Sequence, residues 1–179
     1  MDICTELNNN FNIKKSIITM GSFDGLHMAH IKLIEKTVSL SKKNNLSSVL
    51  ITYSPNPKYV LNTGNVDEIR VLLDYDSKIN IIKKIGINYL WIIPFDKKFS
   101  KITAKCFMDN YIKTLNPIKI LVGYNHYFGY KKEGDIKFLR QMSSLFSYNL
   151  HKVDKIICDN IDVNSSNIRK YLLNGKINL

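Results

Sequence analysis

Five apolar, largely β-branched runs separated by stretches of helical periodicity constrain this chain most. The runs are "SIITM" (16–20), "SSVLITY" (47–53), "INYLWIIPF" (87–95), "IKILVG" (118–123) and a fifth within "YNLHKVDKIICDN" (148–160), which has room for more than one strand. Helical patterns fill the intervals at about 27–44, 76–86, 103–115 and 135–147, and a last one covers 165–175. The second has apolar residues at 79, 81, 82 and 85 and closes on Gly86, a residue suited to a helix C-cap. Thr103 and Ser165 are expected as N-caps, and Gly175 stands at the end of the last helix. Residues 54–64 read as a loop, because two prolines and a glycine interrupt any period, and 124–134 reads as a second loop. Strands alternating with helices imply an α/β fold: a parallel sheet of five strands or slightly more, with helices on both faces. Ligands of such sheets sit beyond the C-terminal strand ends, where 21–30, 54–64 and 123–134 all fall.

A length of 179 residues suits one domain, 1–179, with residues 1–15 as a flexible N-terminal segment. That segment has no apolar signal-peptide core, and no run approaches the roughly 20 apolar residues of a membrane span, so a cytoplasmic protein is expected. Cys4, Cys106 and Cys158 are scattered and form no CxxC, which fits reduced thiols and argues against a disulfide frame or zinc site. The net charge is +11, carried by 23 lysines and three arginines spread along the chain. Without a dense cluster, neither a nucleic-acid surface nor a membrane surface is expected. A solvated basic surface that attracts a phosphorylated substrate accounts for the charge.

The chemistry concentrates in "GSFDGLHMAH", residues 21–30. GxGxxG and GxxxxGK[ST] are both absent, so phosphate chemistry needs another device. Gly21 permits close approach to a strand end, Gly25 permits a tight turn, and the helix that follows offers unpaired N–H groups and a positive dipole end. His27 and His30 share one face of its first turn and could both donate to the oxygens of a phosphate in transfer. From these residues alone a second reading stays open: one histidine caps the helix and the other packs in the core. Asp24 needs compensation wherever it is buried, with backbone N–H groups as the expected partners and a magnesium ion as a lesser option.

The pattern G-x-F-D-G-x-H-x-x-H resembles the signature of the HIGH-type nucleotidyltransferases, with Ala29 where many relatives have Gly. Further along, "TYSPNPKYVL" (52–61), "IGINYLWIIPFDKKFSKITAKCFMDNYI" (85–112), "VGYNHYFGYKKEGD" (122–135) and "NSSNIRKYLLNGKI" (164–177) resemble, in the same order, segments of the FMN adenylyltransferase module of bacterial FAD synthetases. The likeness runs from about 16 to 177. It departs at His126 and Tyr127, where the family commonly has Phe and Arg, and at Ser166 and Asn167, where it commonly has Thr and Arg. It does not extend to the riboflavin kinase domain that commonly follows in relatives.

The resemblance implies a Rossmann-like nucleotidyltransferase fold and transfer of AMP from ATP to FMN, giving FAD and pyrophosphate by direct in-line displacement, with Mg2+ accompanying ATP. It implies catalytic roles for His27, His30 and Arg169. ATP would be bound by these together with Gly21, Ser22, Phe23, Asp24, Gly25, Ser165 and Ser166. FMN would be bound by Pro55, Pro57, Asn125, Phe128, Gly129, Gly134 and Asp135, the last of which could also simply cap the 135–147 helix. Two alternatives stand beside this reading: a transferase of the same superfamily with another phosphorylated acceptor, and a non-catalytic flavin-nucleotide-binding protein.

Overall fold

The computed structural model describes residues 1–61, 71–158 and 160–176. Six parallel strands form one sheet: β1 (Asp2–Cys4), β2 (Ser16–Met20), β3 (Ser47–Ser54), β4 (Tyr89–Pro94), β5 (Pro117–Gly123) and β6 (Asn149–Val153). Their order across the sheet is β1-β4-β3-β2-β5-β6. From β2 the chain steps outward to β3 and β4 on one side, then returns to place β5 and β6 on the other. The sheet therefore has its topological switch point between β2 and β5, where ligand crevices of open α/β sheets form.

Side chains along these strands alternate between two cores. Ile18, Met20, Val49, Ile51, Trp91, Ile93, Ile120 and Val122 face one side. There they meet α4 (Ala104–Phe107), the helical turns that continue it to Leu115, and α5 (Ile136–Leu145). Ile17, Leu50, Leu90, Ile92 and Leu121 face the other side and pack on α1 (Met28–Lys43) and α3 (Tyr75–Ile85). The period of two is the pleat itself, and burial on both faces explains why the strands read as nearly unbroken apolar runs.

Local signals set most boundaries. Gly86 takes the left-handed conformation (φ 96°) that ends α3, and Thr103 Oγ1 accepts from Cys106 N to open α4. The 103–115 helix is not uniform: a π-type stretch at Met108–Ile112 and a 3-10 turn at Lys113–Leu115 follow α4. Three expectations change. Residues 1–15 contain β1, which pairs with β4, and Trp91 Nε1 donates to Glu6 O at 2.9 Å, so this segment is tied to the sheet edge rather than loose. The 54–64 loop contains a single helical turn, α2 (Pro57–Val60), which Pro57 can start because an N1 residue needs no N–H partner. As the room for more than one strand implies, the 148–160 stretch holds β6 and β7 (Ile157–Cys158), and β7 pairs antiparallel with β8 (Ile161–Asp162). The last helix, α6 (Ser165–Leu173), is capped by Asn164, whose Oδ1 accepts from Asn167 N at 2.9 Å; Ser165 is instead its first residue. Residues 62–64, 159 and 177 of the sequence expectations lie outside the described residues.

Candidate active site

The β2-to-α1 connection is a strained turn. Phe23 and Leu26 have left-handed φ of 47° and 38°, and Gly25 sits at 76°. A Cβ at Gly25 would also stand 2.9 Å from the Leu72 side chain, so the turn requires glycine there both conformationally and sterically. The turn delivers His27 to the N-cap position of α1, where its backbone O accepts from Ile31 N while its side chain makes no cap bond. Neither half of the alternative reading holds for His27. The imidazole is left over for something else.

His27 and His30 stack with ring centroids 3.6 Å apart, and Phe23 meets His30 edge-on at 5.3 Å. Burial lowers the pKa of both. For His27 the charges of Asp24 and Asp162 partly oppose that effect. His30 drops to about 3, with the His27 and Lys78 charges acting in the same direction as burial. Both rings are therefore neutral at pH 7 and each keeps one N–H donor. Their Nδ1 atoms are buried and have no hydrogen-bond partner among the described residues.

The pair lines a cavity of about 670 Å³ at the C-terminal edge of the sheet, within the range of small-molecule and cofactor sites. Gly21, Ser22, Phe23 and Asp24 line it beside the histidines, and Pro57, Asn125, Ser165 and Ser166 close it from three other segments. A larger depression, about 770 Å³, lies at the opposite strand ends around Lys14, Lys15 and Asn88. It has no imidazole and is at the edge that open α/β sheets do not use for ligands.

Arg169, for which the resemblance implies a catalytic, ATP-binding role, has a partner within the protein. Its Nη2 donates to Asp24 Oδ2, and both side chains are under a tenth exposed. Its Nη1 donates to Ser165 O at 3.3 Å, and Ser165 Oγ donates to the Asp24 backbone O at 2.8 Å. The physical reason is desolvation: a carboxylate turned inward needs a charge partner, and no backbone N–H supplies one as strongly. Arg169 is not on the cavity wall.

The expected flavin-side residues divide. Pro57 and Asn125 line the cavity, whereas Pro55, Phe128, Gly129, Gly134 and Asp135 do not. Phe128 packs against Phe107 and Phe138 and forms a β-bridge with Gly134. A Cβ on Gly129 would lie 2.6 Å from Ala104 N, and one on Gly134 would lie 2.7 Å from the Phe128 ring. Asp135 caps α5, its Oδ1 accepting from Phe138 N. These four residues build the loop that presents Asn125 and His126.

Several groups at the site escaped the sequence reading. Lys58 reaches across the cavity, its Nζ 3.5 Å from Ser166 Oγ. The Tyr124 hydroxyl donates to Asp162 Oδ2, and burial together with that carboxylate raises the Tyr124 pKa to about 12. His126 lines the cavity, its buried Nε2 has no partner among the described residues, and burial lowers its pKa to about 4. Lys78 donates to Ser22 O and Thr52 Oγ1. One signal for Lys78 was available: it lies one turn before the fully buried Ile82, hence on the inward face of α3.

A sequence profile described as FAD synthetase matches residues 10–167. The bifunctional riboflavin kinase/FMN adenylyltransferase of Buchnera aphidicola subsp. Schizaphis graminum is 34% identical over 174 residues, which cover 94% of this chain and 55% of that protein. The bifunctional riboflavin kinase/FMN adenylyltransferase of Bacillus subtilis is 29% identical over 166 residues, covering 92% and 52%. The FAD synthetase of Listeria monocytogenes is 25% identical over 166 residues, covering 93% and 67%. The chain spans about half the length of the bifunctional relatives. A crystal structure described as a macrolide-efflux protein from Streptococcus pneumoniae superposes with a TM-score of 0.82 at 24% identity, covering 99% of this chain and 58% of that one. That likeness is one of fold, and it is the α/β fold expected from the strand and helix pattern.

Proposed function

The chain belongs to the FAD synthetase family, and on that footing we propose that it transfers AMP from ATP to FMN, releasing pyrophosphate and forming FAD. The observation that carries the proposal is the stacked His27–His30 pair on the wall of the cavity, with Nδ1 atoms that have no hydrogen-bond partner among the described residues. The α-phosphate of ATP fits against these two rings. Charge builds on its non-bridging oxygens as the phosphate of FMN attacks and pyrophosphate departs, and two preplaced donors stabilise that charge. An anion there also raises the pKa of both imidazoles, so binding takes up protons and strengthens the donors.

The N-terminal turn of α6, with Ser165, Ser166 and the facing Lys58, suits the departing phosphates. Arg169 and Asp24 serve that arrangement from beneath by joining α6 to the histidine turn. Gly21 directly follows β2 and Gly123 ends the adjacent β5, and neither has a left-handed φ or a crowded Cβ position. Their lack of side chains leaves room for the ligand rather than for the fold. Asn125 and Pro57 lie on the flavin side, and His126 offers that side a neutral donor or acceptor.

Magnesium is proposed to enter on the nucleotide. Asp24 is engaged by Arg169, and among the described residues no three His, Cys, Asp or Glu side chains converge into a cage. Mg2+ held chiefly by substrate phosphates and water is the common arrangement. Among the described residues no helix is long and apolar enough to cross a membrane. Three unpaired thiols suit a reducing compartment, the cytoplasm.

The test is direct. The chain incubated with FMN, ATP and Mg2+ should yield FAD and pyrophosphate in equal amounts. Adenylylation of another phosphorylated acceptor with FMN ignored would keep the chemistry and overturn the substrate. Flavin-nucleotide binding without turnover would overturn the chemistry.

A further inference from the structure

We infer that Lys78 is a positioning residue for this transfer site, tying the turn that carries the histidines to the neighbouring strand. The inference rests on the adenylyl-transfer reading of the cavity. Lys78 Nζ donates to Ser22 O at 2.7 Å and to Thr52 Oγ1 at 2.8 Å, and Thr52 Oγ1 donates to the same Ser22 O at 3.1 Å. Two elements thus converge on one carbonyl just beyond β2, that of Ser22: α3 through Lys78 and β3 through Thr52. Ser22 is the residue just before Phe23, where the backbone turns left-handed toward His27. Holding its carbonyl fixes the peptide plane from which the turn departs, and so the direction in which His27 and His30 enter the cavity.

The ammonium has a second effect on the same site. Lys78 lies on the inward face of α3, where a lysine is costly unless its donors are used. Burial lowers its pKa to about 8, and the Asp24 carboxylate on the histidine turn opposes that shift. From α1, His30 faces the Lys78 charge, which disfavours an imidazolium there. The cation beneath the turn therefore helps keep His30 in its neutral, donating form until an anion arrives. As pH rises past about 8, the group becomes an amine, its two bonds weaken, and its influence on His30 fades.

The experiment compares the wild type with Lys78→Arg and Lys78→Met. With FMN and MgATP, wild-type kcat should fall above about pH 8. Lys78→Arg keeps its charge, so that limb should move beyond pH 10. Lys78→Met should lose about 10²-fold in kcat across the range, the scale of a misplaced catalytic group, with KM for ATP changed by much less and no limb near pH 8. If Lys78→Met does not fold, the displaced limb of Lys78→Arg carries the test. Imidazole NMR signals of the ligand-free protein provide a readout independent of turnover. The wild-type His30 signals should show an inflection near pH 8 that is absent in both variants. A protein that makes no FAD but shows this inflection would overturn the function and keep the positioning role. No inflection near pH 8, together with a Lys78→Met protein that loses only melting temperature and keeps kcat, would overturn the inference.

Discussion

Arg169 of α6 donates to the carboxylate of Asp24, 145 residues earlier in the chain, and the two form a buried ion pair beneath the candidate active site. Removing one partner strands the other charge away from water, which typically costs about 3–5 kcal/mol. Asp24→Ala and Arg169→Ala should therefore each lower the melting temperature strongly. The double variant should be clearly less destabilised than the sum of the two. Thermal unfolding of all four proteins measures this, and strictly additive losses would show that the pair is not coupled.

The histidines should behave in the opposite way. His27→Ala and His30→Ala are expected to lower kcat by about 10²–10³-fold, the usual loss for one preplaced donor to a developing charge. Steady-state kinetics beside unfolding curves separates the outcomes. Near-normal kcat with a large loss of stability would return both residues to the core.

Two pairs of glycines should part company. At Gly129 and Gly134 a methyl group collides with Ala104 or the Phe128 ring, and Gly129 also has φ 74°, so Gly→Ala there should cost about 1–3 kcal/mol or more. At Gly21 the nearest atoms to a new Cβ are 3.5 Å away in the Phe23 ring, and at Gly123 the nearest is Asn125 Oδ1 at 3.8 Å. Gly21→Ala and Gly123→Ala should leave stability nearly unchanged and raise the KM of a substrate by about tenfold, equivalent to about 1.4 kcal/mol. Unfolding curves and KM values for ATP and FMN decide it, and unchanged KM values would remove the ligand from that crevice.

Acid should destabilise this protein through its histidines. His30 and His126 are lowered to about 3 and about 4, chiefly by burial. In the unfolded chain they titrate near 6.5, so below that pH the unfolded state binds more protons. Stability is therefore full above about pH 6.5 and is lost as the pH falls toward 4. His126→Phe removes one such group and should flatten the decline in melting temperature between pH 7 and 4.5. An unchanged slope would mean that the His126 imidazole is not the buried neutral group described.

What the sequence revealed, it revealed through short-range physics. The Gly86 and Asp135 caps need only their neighbours, and the five longer strands announce themselves by β-branched apolar runs. β1 does not, because three residues are too few to show a period and its pairing with β4 is a tertiary event. The cap of α6 was misassigned by one residue because "NSS" offers three eligible side chains in a row. His27 and His30 were legible as a pair from their spacing. The partner of Asp24 was not, since nothing local connects residue 24 to residue 169. Lys78 was hidden among 23 lysines, and only its position one turn before Ile82 distinguishes it.

The Asp24–Arg169 contact has a consequence for the order in which a ribosome makes the protein. All six strands of the parallel sheet are in hand by Val153, and both histidines are made within the first 30 residues. Yet the Asp24 carboxylate lacks its Arg169 partner, and the cavity lacks the part of its wall that Ser165 and Ser166 supply, until α6 has emerged. A nascent chain can therefore assemble its sheet long before it can close the cavity. The cavity is completed by α6 rather than by the turn that carries the histidines.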